Sequence, residues 1–404
     1  MSDVAGTLGR LKGVVGVWMA VAGTLAFASG SSAFSNGALT RALARSLVVP
    51  QVSRASTGAI AIDLRSGRIV YALNPDLALV PASNEKLAVS YAALRRLGPS
   101  FRFRTEVLGS GRRRGATWNG DLYLRGGGDP TLTTHGLREL AGALRRAGIR
   151  RITGDVLADE SRFDTKRVAV GWEPSFYMNE SPPLSALVVN RAQFEGRMTP
   201  DPAGAAAAVF VRILVQNGIR IGGRSAWGTA PARAELLAET ASQSLGEILR
   251  FMDRESDNFT AEMLLKTLGN GSTSAGAAVV AQTLRSAHVP LRGVRIVDGS
   301  GLSPLDRLTA RAIAAILEAA WKDAHVRPVL WKALSVAGRS GTLAHRLRGW
   351  PTIHAKTGTT DIASALSGYA GGRYLFAVVQ DGHPVATWWA RLAQDRFATA
   401  LAAA

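Results

Sequence analysis

Residues 81–86 read Pro81-Ala82-Ser83-Asn84-Glu85-Lys86, and the residues that follow them have a helical pattern. Apolar side chains recur on one helix face until Gly98-Pro99 ends the run: Leu87, Tyr91, Leu94 and Leu97. Ser83 is therefore expected at a helix N-terminus, with Lys86 one turn further along the same face. A serine hydroxyl is a weak nucleophile until a neighbouring group takes its proton, and the amine of Lys86 can reach it.

Two further short motifs complete a set of three. The first is the S-x-x-K motif that Ser83 and Lys86 form. The second, Ser256-Asp257-Asn258, lies later in the chain, and the third, Lys356-Thr357-Gly358-Thr359, lies later still. Each pattern alone is short enough to arise by chance, but each occurs once here and the three stand in a fixed order. In this order, S-x-x-K, S-D-N and K-T-G are the signature of penicillin-binding proteins and class A β-lactamases. The set therefore predicts a serine enzyme that forms an acyl intermediate.

Lysine can act as the base for Ser83 only in its neutral form. Its ordinary pKa of about 10.4 must fall by roughly three units, at a cost of about 4 kcal/mol, for it to work near neutral pH. Burial lowers the pKa of a lysine, and a second ammonium group nearby lowers it further. We therefore expect Lys86 to be buried and Lys356 to supply the second charge. A helix N-terminus at Ser83 also stabilises negative charge that develops there.

The second motif suits proton relay. Ser256 can pass the proton from Lys86 to the departing amine. Asn258 offers an amide to the substrate backbone or to the lysine. Asp257 is expected to have a structural role.

The third motif suits recognition of a carboxylate. On a strand, Thr357 and Thr359 face the same side because alternate residues share a face. Their hydroxyls, together with Lys356, can hold the terminal carboxylate of a peptide. The backbone N–H groups of Ser83 and Thr359 form the expected oxyanion hole, which usually lowers a barrier by several kcal/mol.

Composition fits a globular protein and restricts the chemistry. The 404 residues are 47% hydrophobic and 19% charged, enough for two domains. The absence of cysteine excludes disulfides, a thiolate nucleophile and cysteine-based zinc sites. The six histidines lack the spacing of metal ligands. We therefore predict no catalytic metal and no cofactor.

The first 36 residues have the pattern of a secretory signal peptide. Arg10 and Lys12 precede an apolar run over 13–28, and small residues that suit cleavage follow. We predict a signal peptide at residues 1–33, hence a protein exported to the periplasm or cell wall. An uncleaved membrane anchor is the alternative, although the apolar run is short for a membrane span.

The net charge of +18 comes mainly from arginine. Two groups stand out, Arg112–Arg114 and the set Arg145, Arg146, Arg150 and Arg151. Such groups attract anionic polymers, among which nucleic acid is the usual one. Export argues against nucleic acid and favours an anionic polymer of the cell wall. A charge excess that reflects a GC-rich genome, without a dedicated partner, is an equally acceptable interpretation.

Secondary-structure patterns divide the rest of the chain. Hairpin signals near both ends predict two strand pairs: Ala59–Leu64 with Arg68–Leu73, and Ala365–Ala370 with Tyr374–Gln380. Helices dominate from Leu236: Leu245–Met252, Asn258–Leu268, Gly276–Ser286 and Arg311–Trp321. Short β-like segments, turns and one amphipathic helix near Leu137–Ala147 occupy the middle. We predict a discontinuous catalytic domain, residues 34–103 and 235–404, interrupted by an inserted, mostly β, α/β domain at 104–234.

The motifs and their surroundings resemble the D-alanyl-D-alanine carboxypeptidase/endopeptidase family, also called class C low-molecular-mass penicillin-binding proteins. The similarity runs from about Gly58 to Asp381 and is carried by five stretches: residues 81–86, Leu122–Pro130, Ser256–Asn258 with Ala261-Glu262, Asp298–Ser303 and Gly341–Leu343. It implies an α/β (α+β) fold of the serine β-lactamase and transpeptidase type, with an antiparallel sheet and a helical subdomain. Ser83 and Ser256 lie 173 positions apart, fewer than in many members, so the further subdomain of some relatives is not expected.

The resemblance also implies roles and partners. Ser83 is the acylated serine and Lys86 its base, Ser256 and Asn258 belong to the second motif, and the third motif binds substrate through Lys356, Thr357 and Thr359. The substrates would be peptidoglycan stem peptides ending in D-Ala-D-Ala, with β-lactam antibiotics as covalent inhibitors. Carboxypeptidase and endopeptidase reactions share one acyl-enzyme and differ in the leaving amine, so the sequence does not choose between them.

Two other functions are consistent with parts of the pattern. A β-lactamase needs a base for deacylation, which class A enzymes carry as E-x-x-x-N between the second and third motifs. Between Phe259 and Ala355 the only glutamates are Glu262 and Glu318, and neither is followed by asparagine at that spacing. A non-catalytic cell-wall-binding module that kept the fold is the other alternative, and the three intact motifs argue against it.

Overall fold

The computed structural model describes residues 30–404, with side chains from residue 37. The predicted signal peptide therefore lies, up to residue 29, outside the described residues. The helices, in chain order, are α1 (Gly30–Ser46), α2 (Glu85–Leu97), α3 (Thr134–Arg146), α4 (Pro202–Gln216), α5 (Leu245–Glu255), α6 (Asn258–Leu268), α7 (Thr273–Ser286), α8 (Ala310–Lys322), α9 (Arg327–Ala333) and α10 (Thr387–Ala402). No helix in this part of the chain is long and apolar enough to span a membrane.

The strands form two large sheets and one short hairpin. In chain order they are β1 (Thr57–Asp63), β2 (Ile69–Leu73), β3 (Arg104–Arg114), β4 (Thr117–Arg125), β5 (Arg151–Ile152), β6 (Val156–Asp159), β7 (Gln193–Phe194), β8 (Arg197–Met198), β9 (Arg220–Ile221), β10 (Ser225–Trp227), β11 (Glu235–Ala241), β12 (Ser335–Val336), β13 (His354–Thr359), β14 (Ala363–Ala370) and β15 (Tyr374–Asp381).

The first sheet joins the two ends of the chain. Its antiparallel strands have the order β12-β13-β14-β15-β1-β2, so the N-terminal hairpin pairs with the C-terminal one through β1 and β15. Successive residues of β15 point to opposite faces. Leu375, Ala377 and Val379 pack on one face, in a core that also contains residues of α2 and α8. Phe376 and Val378 pack on the other face, against α1 and α10. The sheet is therefore covered on both faces.

The helical region lies between β11 and β12 in the chain. Its predicted helices are confirmed as α5, α6, α7 and α8, the second with the bounds expected from the sequence. A Ser244 capping box with Glu247 begins α5, and Asp257 caps α6. The short helix α9 was missed. These helices pack with α2 into one apolar core.

A second sheet is built from the middle of the chain. Its principal order is β10-β6-β4-β3-β11, while β5 pairs with β4 and β9 pairs with β5, and it mixes parallel and antiparallel pairs. The helix α3 matches the predicted amphipathic helix and packs on this sheet beside α4. Sequence analysis missed α4 because its alanine-rich residues are apolar on most sides and show little periodicity. The predicted α/β fold, with an antiparallel sheet, a helical region and an inserted domain, is confirmed.

The strand β11 affects where the inserted domain ends. It starts at Glu235, inside the segment assigned to the catalytic domain, yet it pairs with β3 from Glu235 to Ala241. Strands of one sheet share backbone hydrogen bonds and fold as a unit. We therefore propose that the inserted domain extends to Ala241 rather than ending at residue 234.

Candidate active site

Ser83 lies in a 3-10 turn, Ala82–Asn84, that leads directly into α2 at Glu85. Ala82 has a φ of 45°, a left-handed conformation that is rare for alanine. The loop at Gly301 holds this turn closely, because a Cβ at Gly301 would lie 1.9 Å from the carbonyl oxygen of Ala82. Ser83 is thus placed, as expected, at the N-terminus of a helix.

Lys86 contacts Ser83 from one turn along the chain. Its Nζ donates to Ser83 Oγ at 2.9 Å, to Asn258 Oδ1 at 2.8 Å and to the carbonyl oxygen of Ser300 at 2.7 Å. The Lys86 side chain is completely buried. These three contacts orient the Lys86 nitrogen in either protonation state. They accept the three N–H bonds of an ammonium group, or they orient the lone pair and the N–H bonds of a neutral amine beside the serine hydroxyl.

The second motif lies at the junction of two helices. Ser256 ends α5 in a left-handed conformation with φ 59°, and Asp257 caps α6 by accepting from the Thr260 N–H at 2.8 Å. Asp257 also forms an ion pair with Arg191 at 2.7 Å. Asn258 begins α6 and donates to the carbonyl oxygen of Glu180 at 3.1 Å. Asp257 is therefore structural in its contacts, while its two neighbours face the serine and lysine groups.

The third motif lies on β13, beside the Ser83 turn. Lys356 Nζ donates to Ser256 Oγ and to the carbonyl oxygen of Thr357, both at 2.8 Å. A Cβ at Gly358 would lie 3.0 Å from the backbone nitrogen of Ser83, so glycine allows the strand to approach the turn this closely. The turn and the strand are linked further by Asn84, whose amide donates to the Lys356 carbonyl at 3.3 Å.

A cavity of about 540 Å³ opens over these groups. Its lining residues are Ser83, Ser256, Gly341, Thr342, His345, Arg346, Thr357, Thr359 and Arg391. Thr357 and Thr359 thus share one face of β13, as alternate strand residues should. Lys356 does not line the cavity, because its buried ammonium group lies beneath Ser256. The structure brings all seven predicted site residues together, with Lys86 and Lys356 completely buried and the half-buried Asn258 outside the cavity lining.

Burial sets the protonation of the two lysines. It lowers the pKa of Lys86 to about 8, although nearby carboxyl groups oppose the shift: Asp298, Asp257, Glu262 and Asp253. Burial and the charge of Lys86 hold the pKa of Lys356 well below its usual range, against the opposing charge of Asp253. The charge of Lys86 thus contributes to the lowered pKa of Lys356, whereas burial is the cause of the lowered pKa of Lys86. A neutral amine beside Ser83 is therefore accessible near neutral pH.

Behind Lys86 lies a group of buried carboxyl groups that sequence analysis did not assign to the site. Glu262 Oε1 accepts from the N–H groups of Gly299 and Ser300 at 2.9 and 2.8 Å, and Asp298 accepts from Gly301 N at 2.6 Å. Burial and the neighbouring Asp298 raise the pKa of Glu262 to about 8. These contacts fix the loop whose Ser300 carbonyl accepts from Lys86. The stretch Asp298–Ser303 had been noticed only for its family resemblance.

The inserted segment also reaches the site. Trp172 Nε1 donates to Asp298 Oδ2 at 2.9 Å, and the Glu180 carbonyl accepts from Asn258. Only a short 3-10 turn, Pro174–Phe176, lies in this stretch, so its role was not visible in the sequence. Among the described residues, no group of three or more His, Asp or Glu side chains is arranged to hold a metal ion.

In this arrangement the Ser83 hydroxyl contacts the buried amine of Lys86, and the Ser256 hydroxyl contacts the amine of Lys356. The backbone of β13 lies within reach of Ser83. Such groups can move a proton from a nucleophile to a leaving amine. Together with the first sheet and its helical region, they define a serine enzyme of the penicillin-recognising class. The chain belongs to the D-Ala-D-Ala carboxypeptidase 3 (S13) family, whose family model matches residues 39–211 and 195–402.

Similar proteins agree with this assignment. A D-alanyl-D-alanine carboxypeptidase from Actinomadura sp. (strain R39) is 31% identical over an alignment of 432 positions, gaps included, that covers 83% of this chain and 79% of that protein. The crystal structure of penicillin binding protein 4 (dacB) from Haemophilus influenzae superposes with a TM-score of 0.77 at 23% identity, over 90% of this chain and 97% of that one. The same protein complexed with a β-lactam gives a TM-score of 0.69 at 22% identity, over 90% and 98%. The two structures support the fold.

Proposed function

We propose that this chain is a serine-type D-Ala-D-Ala carboxypeptidase that hydrolyses peptidoglycan stem peptides through an acyl-enzyme on Ser83. The observation that carries the proposal is the 2.9 Å hydrogen bond between Lys86 Nζ and Ser83 Oγ, made by a completely buried lysine. Family membership and the carboxypeptidase relatives support the same substrate class.

In the acylation step, Lys86 takes the proton of Ser83, and Oγ attacks the carbonyl carbon of the penultimate D-Ala. The N–H groups of Ser83 and Thr359 stabilise the oxyanion, a role that the close approach of β13 supports. The C–N bond then breaks, and the leaving amine receives a proton from Ser256, which takes the Lys86 proton in its place, so Lys86 is neutral again. Water next attacks the ester and gives one proton to Lys86, which passes it to Ser83 Oγ as the ester C–O bond breaks and the shortened peptide leaves as a free acid. Asn258 holds Lys86 in place throughout.

An endopeptidase reaction on cross-linked peptides would use the same acyl-enzyme. The steps that form and hydrolyse it are unchanged, and only the leaving amine differs. We therefore propose both activities for this site, carboxypeptidase first.

Purified protein should hydrolyse an acyl-D-Ala-D-Ala peptide and release free D-Ala. Incubation with a labelled penicillin should add one label, and mass spectrometry of the digested protein should place it on the peptide that contains Ser83. A label on another peptide, or no hydrolysis of either the linear or the cross-linked substrate, would contradict the proposed function.

The same experiment separates this function from a β-lactamase. Glu262, one of the two glutamates between Phe259 and Ala355, is completely buried and bonds to backbone N–H groups rather than lining the cavity. Glu318 is paired with Lys322 on α8. Neither is placed to activate water at the acyl-enzyme, so a penicillin adduct should persist. Rapid turnover of penicillin would instead indicate a β-lactamase.

We place the enzyme outside the cytoplasm, where its substrate lies. A signal peptide at residues 1–33 would direct export, and a retained anchor is the alternative. The arginine-rich composition fits this location if the partner is an anionic wall polymer rather than nucleic acid.

The structure gathers the predicted arginine groups at one tip of the second sheet, which we call the basic tip. Arg114 ends β3, and its hairpin partner Thr117 pairs with Arg151, which pairs in turn with Arg220. The basic tip comprises Arg112, Arg113, Arg114, Arg145, Arg146, Arg150, Arg151 and Arg220. None of these arginines forms an ion pair within the part of the chain that the structure describes. The 11-residue β3 leads away from the catalytic core over about 35 Å.

This unneutralised charge supports binding of an anionic wall polymer at the basic tip. Replacing Arg112, Arg113 and Arg114 with alanine should weaken binding to polyphosphate, used as the polyanion probe, by about tenfold or more at low salt, with a shallower salt dependence. Hydrolysis of a small peptide should not change. A matched triple replacement of the exposed Arg65, Arg68 and Arg292 is the control. Equal losses in the two variants would show that only net charge matters, and the basic tip would not be a binding site.

A further inference from the structure

Two cavities meet at Thr359, and their charges are opposite. The cavity over Ser83 is lined by three basic side chains, His345, Arg346 and Arg391, and by no acidic one. The other, of about 310 Å³, is lined by Glu173, Glu180 and Asp361 and by no basic side chain. An anionic group of a bound substrate would therefore enter the first cavity and avoid the second.

Most of the cations near the first cavity are already engaged. Lys356 is buried behind its wall and donates to Ser256 and to the Thr357 carbonyl. Arg346 forms an ion pair with Asp395 at 2.6 Å. Neither cation is therefore free to take a substrate carboxylate as its main partner.

Arg391 is different. It lies on α10, and its Nη2 donates to Thr359 Oγ1 at 3.2 Å. It forms no ion pair with any side chain that the structure describes. A guanidinium group has five N–H donors in a planar fork that fits a carboxylate, so most of its donors remain available. Arg391 is thus a cation without a carboxylate at ion-pair distance among the described residues, and it contacts one of the two threonines that line the cavity.

We infer that Arg391 binds the α-carboxylate of the leaving amino acid, together with the hydroxyls of Thr357 and Thr359. The inference rests on the proposed function, because it assigns one side of the Ser83 cavity to the leaving group. Sequence analysis gave this carboxylate to Thr357 and Thr359 together with Lys356, whose buried ammonium group donates to Ser256.

The inference defines which leaving groups the enzyme selects. Free D-Ala carries an α-carboxylate next to the scissile amide. The same holds for a cross-linked peptide whose leaving amine belongs to a diamino dicarboxylic acid, when that amine and a carboxylate are attached to the same carbon. It does not hold for a cross-link through the terminal amine of a lysine-type side chain. The enzyme should prefer the first two classes.

The test compares two substrates that differ in one group, acyl-D-Ala-D-Ala and acyl-D-Ala-D-alaninamide. The wild-type protein should prefer the free acid. Arg391→Ala should lower kcat/KM for the acid by about 10- to 100-fold, the usual effect of losing a charge-assisted hydrogen bond to a carboxylate. Its kcat/KM for the amide should stay within about twofold. Arg391→Lys keeps the charge without the fork and should give an intermediate loss.

Arg396→Ala is the matched control, since Arg396 is exposed on the same helix and does not line the cavity. It should leave both substrates unaffected. An equal loss on acid and amide in Arg391→Ala, or no loss on either, would overturn the inference. If the wild-type protein hydrolysed neither substrate, the proposed function would fail first. Thermal melting of each variant identifies any loss that comes from unfolding.

Discussion

Replacing Ser83 with alanine should lower kcat/KM for an acyl-D-Ala-D-Ala peptide by about three or more powers of ten. The hydroxyl is the only group that can form the acyl-enzyme at the position that Lys86 contacts, and loss of a nucleophile typically leaves only the contribution of binding and oxyanion stabilisation. The variant should also fail to acquire a label from penicillin. Initial rates of D-Ala release and mass spectrometry of the protein measure the two effects.

The fold should tolerate this change. Ser83 Oγ accepts from Lys86, which keeps two other acceptors, Asn258 and the Ser300 carbonyl. Ser286→Ala, on α7 and away from the cavity, removes a comparable hydroxyl and serves as the control. If Ser83→Ala hydrolysed the peptide as fast as Ser286→Ala does, the serine mechanism would be wrong.

Sequence analysis was most successful where function depends on residues that are close along the chain. Ser83 and Lys86 are one helical turn apart, and Thr357 and Thr359 alternate on one strand, so local geometry predicted their shared faces. The order of the three motifs then indicated that distant segments meet. The structure brings them together through the sheet that joins the two ends of the chain.

What sequence analysis missed depends on tertiary contacts that leave no periodic pattern. Arg391 is one of many arginines in the sequence, and only the packing of α10 on the first sheet, which brings its guanidinium group to Thr359, distinguishes it. Glu262 was noted as part of the family resemblance and as a candidate base for deacylation, whereas in the structure it holds the loop that contacts Lys86. The complete burial of Lys356 and its contact with Ser256 likewise cannot be read from a strand pattern.

The pH dependence of acylation should follow Lys86. Because the base must be neutral, kcat/KM should rise with pH through the pKa of Lys86, which burial lowers to about 8, and fall about tenfold for each pH unit below it. Protonated Lys86 is an ammonium group that cannot accept the Ser83 proton. The acidic limb of the pH–rate profile therefore reports the loss of Lys86 as the base. Rates of penicillin acylation measured from pH 5 to about 9 would show this limb.

Lys356→Met should move the acidic limb to higher pH, by about one unit, because it removes the like charge that disfavours protonation of Lys86. It should also lower the rate on the high-pH plateau, since Ser256 loses the donor at 2.8 Å that orients its hydroxyl. Lys356→Arg retains the charge, so its limb should stay near that of the wild type even if its plateau falls. Lys332→Met, an exposed lysine on α9, controls for net charge. A limb that does not move in Lys356→Met would show that the two ammonium groups are not coupled, and burial alone would then set the pKa of Lys86.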